Sequence, residues 1–384
     1  MRKLRIAMIG QKGIPARFGG VETHVEEISK RLVSRGHDVT VFGRSRFRPT
    51  DEEMVTSDAF DRASGGISYD GVRLAFRPSI RTKHLDAASH SFLCAAESAV
   101  RGSFDIVHFH GIGPSAFAPV PRVTRRTVVS TVHALDWRQS KWGLLAKKAL
   151  LGGEENGVKR SNGVIAVSKI LCKYVSERYG VEPRYIPNGA TITPRVDPKL
   201  IKKFGLVGGD YVLTVGRIIP DRGLHHLIDA FKQIARPIKL VVVGSESPRT
   251  HYSATLEQMA DDRIIFTGDL YGEVLAELYS NCLLYVLASE VEGLPISVCE
   301  AMAFGRCVLL SDIPENMEVG GDVGVYFKTN DVASLCVHLN GLLEDSGQRG
   351  RRGQAALQRV EAVYNWDRLA EQVEAYYQEL VDGK

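Results

Sequence analysis

The stretch from Ser289 to Phe304 carries the residues best suited to chemistry in this sequence. Its second half is apolar on nearly every side, which predicts a buried helix. Glu300 lies in the middle of that helix, and burying its carboxylate without a partner or ligand would cost folding free energy. Glu292 lies just before the helix, where the carboxyl end of a strand opens onto a ligand crevice. Free backbone amides around Leu294 and Ile296 would face an anion there. The segment therefore predicts an anion site flanked by two carboxylates.

The start of this helix follows from local residue types. Gly293 is expected to turn the chain, and Pro295 to occupy the first helical position, where proline is tolerated. Gly305 suits the C-terminal cap. The alternative is that Glu300 pairs with a buried arginine while Glu292 is a solvated loop charge. Two carboxylates around one helix start favour a ligand site over that alternative.

Two arginines form a second candidate anion site. Arg217 follows the predicted strand 211–215, and Arg222 opens the next predicted helix. Guanidinium groups so placed would converge on one anion. A diphosphate is the expected ligand, because the paired N–H groups of a guanidinium match the geometry of phosphate oxygens. Two unrelated surface arginines are the alternative.

Glycines follow the first predicted strand, residues 4–9. Gly19 and Gly20 come just before the predicted helix 21–33, where they would let a phosphate or sugar approach the backbone closely. The alternative is a flexible surface turn. The glycine spacing in this loop does not match the dinucleotide fingerprint, which argues against a nicotinamide-dependent dehydrogenase.

Three histidines lie on or after predicted strands. His108 and His110 are two positions apart on one strand, so their side chains point to one face. A metal site would need a third ligand, and none is spaced to suggest itself, so packing or hydrogen-bonding roles are favoured. His133 stands at the carboxyl end of the predicted strand 127–132. Taken alone, it is more often structural than functional.

The sequence resembles a known family, the retaining glycosyltransferases of family 4. The resemblance rests on Glu-Gly-Leu-Pro at 292–295, followed by Glu-Ala-Met-Ala at 300–303, with seven residues between the two glutamates. It covers nearly the whole chain. Two positions depart from the family pattern, because Arg222 stands where lysine is usual and Ala288 where proline is common.

The resemblance implies a role for each candidate residue. It implies that Glu300 holds the two ribose hydroxyls of a nucleotide-sugar donor and that Glu292 lies by the transferred sugar. His133, which follows Thr131-Val132 as in related enzymes, would reach the donor sugar as a hydrogen-bonding group. The residues expected to act in catalysis are His133, Glu292, Arg217 and Arg222. Those expected to bind substrate are Gly19, Gly20, Gly293, Leu294, Pro295, Ile296 and Glu300.

The fold class implied is α/β with GT-B architecture, in which two Rossmann-like domains face each other across a cleft. Strand–helix alternation runs through the first half and restarts after a proline-bearing linker. We expect an acceptor-side domain over residues 1–190 and a donor-side domain over 191–363. The C-terminal helix, 364–384, is expected to cross back to the first domain.

Composition restricts the functional classes. The chain has 384 residues, 44% hydrophobic and 24% charged, which is enough for two cores. Its net charge of +4 is too mild to indicate nucleic-acid binding. The six cysteines are scattered singly, which is typical of a reduced cytoplasmic protein and not of a disulfide or zinc framework. No apolar run approaches the ~20 residues of a membrane-spanning helix.

A basic segment with interleaved tryptophans lies between Arg122 and Lys148. Seven basic residues and one acidic residue, Asp136, accompany Trp137 and Trp142. This composition fits peripheral contact with an anionic membrane at its inner face. It fits an ordinary solvated helix equally well, and both interpretations stay open here.

The sequence therefore predicts a hexosyltransferase-type enzyme that moves a sugar from a nucleotide-sugar to a glycan or lipid-linked acceptor, with retention of anomeric configuration. No Asp-any-Asp triplet occurs in the chain, so no metal or other cofactor is expected. Two alternatives remain: a nucleotide-sugar epimerase on the same fold, and a non-catalytic nucleotide-sugar binder. Product analysis with donor alone would separate the first from a transferase.

Overall fold

The chain forms two compact units. The computed structural model describes residues 2–17, 19–63, 66–82, 85–101, 103–138, 142–246 and 251–383. The N-terminal unit comprises Met1–Pro187 together with Trp366–Lys384, and the C-terminal unit comprises Asn188–Asn365. Among the described residues, no helix combines the length and the apolar character needed to cross a bilayer.

The N-terminal unit alternates strands and helices. Its strands are β1 (Arg5–Ile9), β2 (Asp38–Arg44), β3 (Phe60–Ala63), β4 (Gly66–Tyr69), β5 (Val72–Arg77), β6 (Ile106–His110), β7 (Thr127–Val132), β8 (Gly163–Ala166) and β9 (Arg184–Tyr185). Its helices are α1 (Gly20–Ser34), α2 (Asp51–Thr56), α3 (Leu85–Val100), α4 (Ile112–Ser115), α5 (Pro119–Val123), α6 (Leu144–Arg160) and α7 (Lys169–Tyr179). A 3-10 turn covers Asp136–Arg138.

The nine strands of this unit form one sheet in the order β3-β4-β5-β2-β1-β6-β7-β8-β9. All neighbours are parallel except β3–β4 and β4–β5, which are antiparallel. Strands β6 and β7 are buried along their whole length, as expected where helices cover both faces of a parallel sheet.

The C-terminal unit has a six-stranded parallel sheet. Its strands are β10 (Tyr211–Val215), β11 (Lys239–Val243), β12 (Ile264–Gly268), β13 (Leu284–Leu287), β14 (Val308–Ser311) and β15 (Val325–Phe327). Its helices are α8 (Leu224–Lys232), α9 (His251–Met259), α10 (Gly272–Asn281), α11 (Ile296–Ala303), α12 (Pro314–Gly320), α13 (Val332–Glu344) and α14 (Ser346–Val363). The strand order is β12-β11-β10-β13-β14-β15, so the order reverses between β10 and β13. A ligand crevice is expected at such a switch point.

The last helix, α15 (Trp366–Asp382), packs on the N-terminal unit. Its Glu374 pairs with Arg35 and lies 2.8 Å from His37 Nε2. The His37 Nδ1 accepts from the Leu4 N–H, so Nε2 is the donor to Glu374. Tyr377 of the same helix lies 2.5 Å from His108 Nδ1. Hydrogen bonds and an ion pair therefore hold α15 to the rest of the N-terminal unit.

The structure differs from the sequence prediction mainly at residues 44–66. Hydrophobic periodicity is weak and the charges are mixed in this stretch, which predicts a mobile loop. The segment instead contains the end of β2, a 3-10 turn at Ser45–Phe47, helix α2 and the hairpin strand β3. A capping box at Thr50 and Glu53 starts α2, and this local signal was missed.

Candidate functional site

Apart from Glu300, which lies within a helix, the predicted site residues lie at the carboxyl ends of parallel strands or at the starts of the helices that follow. In the N-terminal unit, Gly19 follows β1 and His133 follows β7. In the C-terminal unit, Arg217 follows β10, and Glu292 follows β13. Ligands bind at this edge in open α/β sheets. Each unit therefore presents its candidate residues where a ligand would be expected.

Glu300 lies in the middle of α11 and accepts a hydrogen bond from the Tyr279 hydroxyl at 2.8 Å. It is half-buried, not fully buried as the apolar helix predicted. Tyr279 is buried and stacks on Phe304 with ring centroids 5.8 Å apart. Burial and the Glu300 charge raise the pKa of Tyr279 well above its ordinary value, so the hydroxyl remains a donor. The sequence offered no signal for this tyrosine, which lies on α10.

Arg222 forms an ion pair with Glu292 and donates to Ser289 Oγ at 3.2 Å. Glu292 is therefore not the solvated charge of the alternative interpretation, because only 6% of its side chain is exposed. Burial and the neighbouring charge of Arg217 lower the pKa of Arg222 to about 10, which leaves it cationic at neutral pH. The structure thus joins two predicted catalytic residues directly.

The two loops that carry this ion pair are in direct backbone contact. The Glu290 N–H donates to the Asp221 carbonyl at 2.9 Å. Gly223 has φ +61°, and a Cβ at this position would lie 2.2 Å from the Ala288 carbonyl oxygen. Only glycine fits so close an approach in this conformation. The turn after β10 is therefore held against the loop after β13.

Arg217 is exposed beside Arg222, and both line a small cavity at the ends of β10 and β11. Gly216 completes its rim. Guanidinium groups match phosphate oxygens, but most of the side chains that line this cavity are apolar, among them Leu224 and Leu287. Arg217 and Arg222 thus line one cavity, and their convergence on one anion stays a prediction.

The start of α11 differs by one position from the expectation. Pro295 is the N-cap with extended backbone, and Ile296 is the first helical residue. Gly293 and Leu294 form the bend before it, and the Leu294 carbonyl accepts from Asn188 Nδ2 at 2.8 Å. Early helical N–H groups have no intrahelical acceptor, so they remain suited to an anion. Gly305, with φ +65°, ends the helix as predicted.

Gly19 is the N-cap of α1, and both Gly19 and Gly20 are exposed. The loop before them is attached to α1 by two carboxylates. Glu22 accepts from the Lys12 N–H at 2.9 Å, and Glu26 from the Ala16 N–H at 2.5 Å. The helix start is therefore open to a ligand while the adjoining loop is fixed.

His133 belongs to a buried group of histidines. Its Nε2 lies 3.2 Å from His110 Nδ1, and the His24 ring packs edge-on against it at 4.8 Å. Burial, with smaller contributions from nearby histidines, lowers the pKa values of His110 and His133 well below 6.5. His24, on α1, was missed because no local spacing relates it to the strands that carry the others.

His108 has a structural role of the kind favoured from the sequence. Its Nε2 lies 2.6 Å from Thr131 Oγ1 and its Nδ1 2.5 Å from the Tyr377 hydroxyl. Both ring nitrogens are therefore used within the fold. Its ring packs on that of His110 with centroids 4.0 Å apart.

Two groups of side chains in the described residues could each offer three atoms to a metal ion. One comprises His24, His110 and His133, and the other His225, His226 and Glu290, with ligand atoms within 4.8 Å of one another. His108 belongs to neither group, and the residues that join His110 are His24 from α1 and His133 after β7. His110 also contacts Met8 Sδ, so hydrogen bonding accounts for its position without an ion.

The described residues of the basic segment divide into a packed part and an exposed part. Trp137 donates from Nε1 to Glu154 Oε2 at 3.0 Å, and Glu154 is buried. Lys141 lies outside the described residues. At the start of α6, Leu144 and Leu145 are 82% and 85% exposed, and Lys147 and Lys148 follow them closely. Trp137 thus belongs to the packing of the unit, while the leucines and lysines face outward.

Comparison with known proteins gives matches over both units. Residues 197–359 match the family described as glycosyl transferases group 1, and residues 18–193 match glycosyltransferase family 4. A glycogen synthase of Mycobacterium tuberculosis is 26% identical over 96% of this chain and 92% of its own length. A phosphatidyl-myo-inositol mannosyltransferase of Mycolicibacterium smegmatis is 27% identical over 95% of this chain and 91% of its own.

Solved structures share the fold at lower identity. A sucrose-phosphate synthase from Thermosynechococcus elongatus superposes with a TM-score of 0.80 at 20% identity, covering all of both chains. HepE from Anabaena, in complex with UDP and glucose, superposes with a TM-score of 0.78 at 18% identity over 98% of this chain and all of that chain. These matches confirm the predicted fold class and enzyme class. The chain belongs to glycosyltransferase family 4 and is a glycosyltransferase of the GT-B fold that uses a nucleotide-sugar donor.

Proposed function

We propose that this enzyme transfers a hexose from a nucleoside diphosphate sugar to a glycan or lipid-linked acceptor with retention of configuration and without a metal ion. The observation that carries the proposal is the group at the ends of β10 and β13, where Arg217, Arg222, Glu292 and Glu300 lie within one unit. The HepE structure contains UDP, and one relative is named for a phosphatidyl-myo-inositol acceptor. The UDP in that structure supports the proposed donor class, and the name of that relative supports the proposed acceptor class.

Glu300 is suited to the ribose diol. One carboxylate oxygen accepts from Tyr279, and each carboxylate oxygen has more than one lone pair. The group can therefore accept from ligand hydroxyls while the tyrosine holds it in place. Charge-assisted bonds of this kind contribute about 1.5–3 kcal/mol each.

The diphosphate would be stabilised by positive charge and backbone amides. Arg217 is exposed, and Arg222 is already cationic and held by Glu292. An incoming diphosphate would compete with the Glu292 carboxylate for the Arg222 guanidinium. When the ion pair opens, Glu292 is released at the place where the sugar would lie. Donors aimed at developing charge are usually the largest catalytic contribution.

The proposal is tested by assaying nucleotide release and product formation with a panel of UDP-, GDP-, ADP- and dTDP-sugars, with and without candidate acceptors. We expect acceptor-dependent transfer from one base, and a product anomer identical to that of the donor by NMR. An isomerised sugar formed from donor alone would support the epimerase, and tight donor binding without turnover would support the non-catalytic binder.

Activity is expected to survive excess EDTA. The described site offers arginines and helix-start amides to the diphosphate, and the chain contains no Asp-any-Asp triplet. The assay should compare enzyme dialysed against EDTA with enzyme supplied with Mg²⁺ or Mn²⁺. Loss of activity after dialysis, restored by either ion, would contradict metal independence.

A lipid-linked acceptor would require contact with a membrane surface, and the start of α6 is suited to it. Exposed Leu144 and Leu145 with Lys147 and Lys148 combine apolar area and positive charge, which is the composition of an interfacial helix face. We expect the protein to sediment with vesicles containing anionic lipid, and the bound fraction to fall as salt rises.

The double variant Lys147→Glu/Lys148→Glu should lose most of this binding, because each basic residue near such a surface contributes about 1 kcal/mol. Lys202→Glu/Lys203→Glu is the matched control, since it makes the same charge change at residues of the C-terminal unit that are not fully buried. Equal losses in the two variants, or equal binding to neutral vesicles, would contradict a specific role for α6.

A further inference from the structure

Three side chains of the C-terminal unit bring metal-binding atoms together at the start of α8 and in the loop after β13. His225 and His226 are the second and third residues of α8, and Glu290 belongs to the loop. One ligand atom of each residue lies within 4.8 Å of the ligand atoms of the other two. None of the three residues is fully buried, so an ion in solution has access to them.

Backbone contacts fix the positions of these residues relative to each other. The Glu290 N–H donates to the Asp221 carbonyl at 2.9 Å, and the His226 N–H donates to the Gly223 carbonyl at 3.1 Å. The start of α8 and the loop after β13 are thus held together without an ion. Bonds to zinc of about 2.0–2.1 Å place tetrahedral ligands about 3.3 Å apart. Small side-chain rotations on this fixed backbone would therefore complete a site.

The two imidazole rings lie side by side, and one of them has a partner that suits a metal ligand. The centroids of the His225 and His226 rings are 3.9 Å apart. The His225 Nδ1 lies 3.0 Å from the Tyr252 hydroxyl, which leaves Nε2 for a ligand. A metal-bound histidine usually donates its other ring N–H to an oxygen atom, and this bond fixes the orientation of the ring. The Tyr252 hydroxyl is placed for that role.

The other two ligand groups have no competing partner. Across the described ranges of the chain, neither the His226 ring nor the Glu290 carboxylate forms a side-chain hydrogen bond or an ion pair. The exposed Asp229 lies four residues after His225 and three after His226, which places it on the same side of the helix. Its negative charge and that of Glu290 favour a cation at this surface.

We propose that His225, His226 and Glu290 bind one divalent transition-metal ion of the zinc class, with water as the remaining ligand. Two imidazoles and one carboxylate suit Zn²⁺, Co²⁺, Ni²⁺ or Cu²⁺, whereas Mg²⁺ takes oxygen ligands. The ion would join the start of α8 to the loop after β13. None of these ligands is among the residues proposed to hold the donor, so the site is independent of the proposed function and of its test with EDTA.

Binding is tested on the whole chain, purified without a polyhistidine tag, treated with EDTA and then dialysed. Calorimetric titration with Zn²⁺ should show one ion per chain at the tightest site, and Mg²⁺ at the same concentrations should not bind. Zn²⁺ should also raise the melting temperature, because a ligand of the folded state stabilises it. No binding of Zn²⁺, or binding of Mg²⁺ as tight as that of Zn²⁺, would overturn the proposal.

Variants assign the ion to these residues. Tyr252→Phe removes only the oxygen beside His225 and should weaken Zn²⁺ binding by about tenfold to a hundredfold. His226→Ala removes a ligand and should weaken it more, and Glu290→Gln should also weaken it because the carboxylate charge is lost. His338→Ala is the matched control, since it removes a half-buried imidazole from α13 of the same unit and should bind Zn²⁺ like the wild type.

The melting temperature of each variant without metal shows whether it is folded, and the accessible positions of His226 and Glu290 make a large change unexpected. Zn²⁺ should raise the melting temperature of His338→Ala but not that of His226→Ala. Undiminished Zn²⁺ binding in folded His226→Ala and Glu290→Gln would assign the ion to other residues and overturn the proposal. An equal loss of binding in His338→Ala would overturn it as well.

Discussion

Glu300→Gln is expected to raise the donor KM and to weaken binding of the free nucleotide by roughly 30-fold to 150-fold, while kcat changes little. The ribose does not react, so Glu300 would bind ground and transition states alike, and loss of uniform binding raises KM alone. The magnitude corresponds to about 2–3 kcal/mol for charged hydrogen bonds replaced by neutral ones. The amide carbonyl of the introduced glutamine can still accept from Tyr279, so the variant should keep the helix in place.

The measurement is calorimetric nucleotide binding with steady-state kinetics, after a melting curve for each variant. Tyr279→Phe is the structural control, because it removes the hydrogen bond to Glu300 but leaves the carboxylate charge. It should weaken nucleotide binding several-fold less than Glu300→Gln. If folded Glu300→Gln binds nucleotide like the wild type, Glu300 is not the ribose ligand.

Glu292→Gln serves as the contrasting variant. Glu292 pairs with Arg222 and would act beside the sugar, where charge develops during transfer. We expect a lower kcat with nucleotide affinity unchanged or slightly higher, since Arg222 would no longer have to leave a charged partner. A large loss of nucleotide affinity in this variant would show that the ion pair itself organises the binding site.

The N-terminal unit is expected to lose up to about 5 kcal/mol of its unfolding free energy between pH 7 and pH 5.5. Four of its buried histidines, His90, His108, His110 and His133, have pKa values lowered by burial, with His90 at about 4. In the unfolded chain each titrates near 6.5. Below that pH the unfolded state binds protons that the folded state does not, so stability falls as pH falls, by about 1.4 kcal/mol per pH unit for each ring. Above pH 7.5 all four are neutral in both states and contribute nothing.

Tryptophan fluorescence can report this unit selectively, because all three tryptophans of the chain, Trp137, Trp142 and Trp366, belong to it. Urea unfolding followed by this signal should show a midpoint that falls steeply from pH 7 to pH 5.5 and stays level from pH 7.5 to pH 8.5. A loss of this size is a large part of the 5–15 kcal/mol of an ordinary domain. A midpoint that does not change between pH 7 and pH 5.5 would mean that the rings are protonated in the fold.

The sequence by itself determined most of the elements and the chemical types of the candidate site residues. Runs rich in β-branched residues, such as 127–132 and 211–215, could be identified as strands at their observed bounds, because such residues favour strands. The glutamates of 292 and 300 could be found because their spacing is local to one loop and one helix. The hairpin strands β3 and β4 could not, since short half-exposed strands have little periodicity.

Only the tertiary structure decided which side chains meet. Arg222 contacts Glu292 because β10 and β13 are neighbours, although two strands lie between them in the chain. Tyr279 reaches Glu300 from the preceding helix, and His24 joins His110 and His133 from α1. Hydrophobic periodicity determines which face of each element is buried, but it carries no information on strand order. Strand order follows from the packing of the whole sheet. It therefore determines which side chains the catalytic candidates contact.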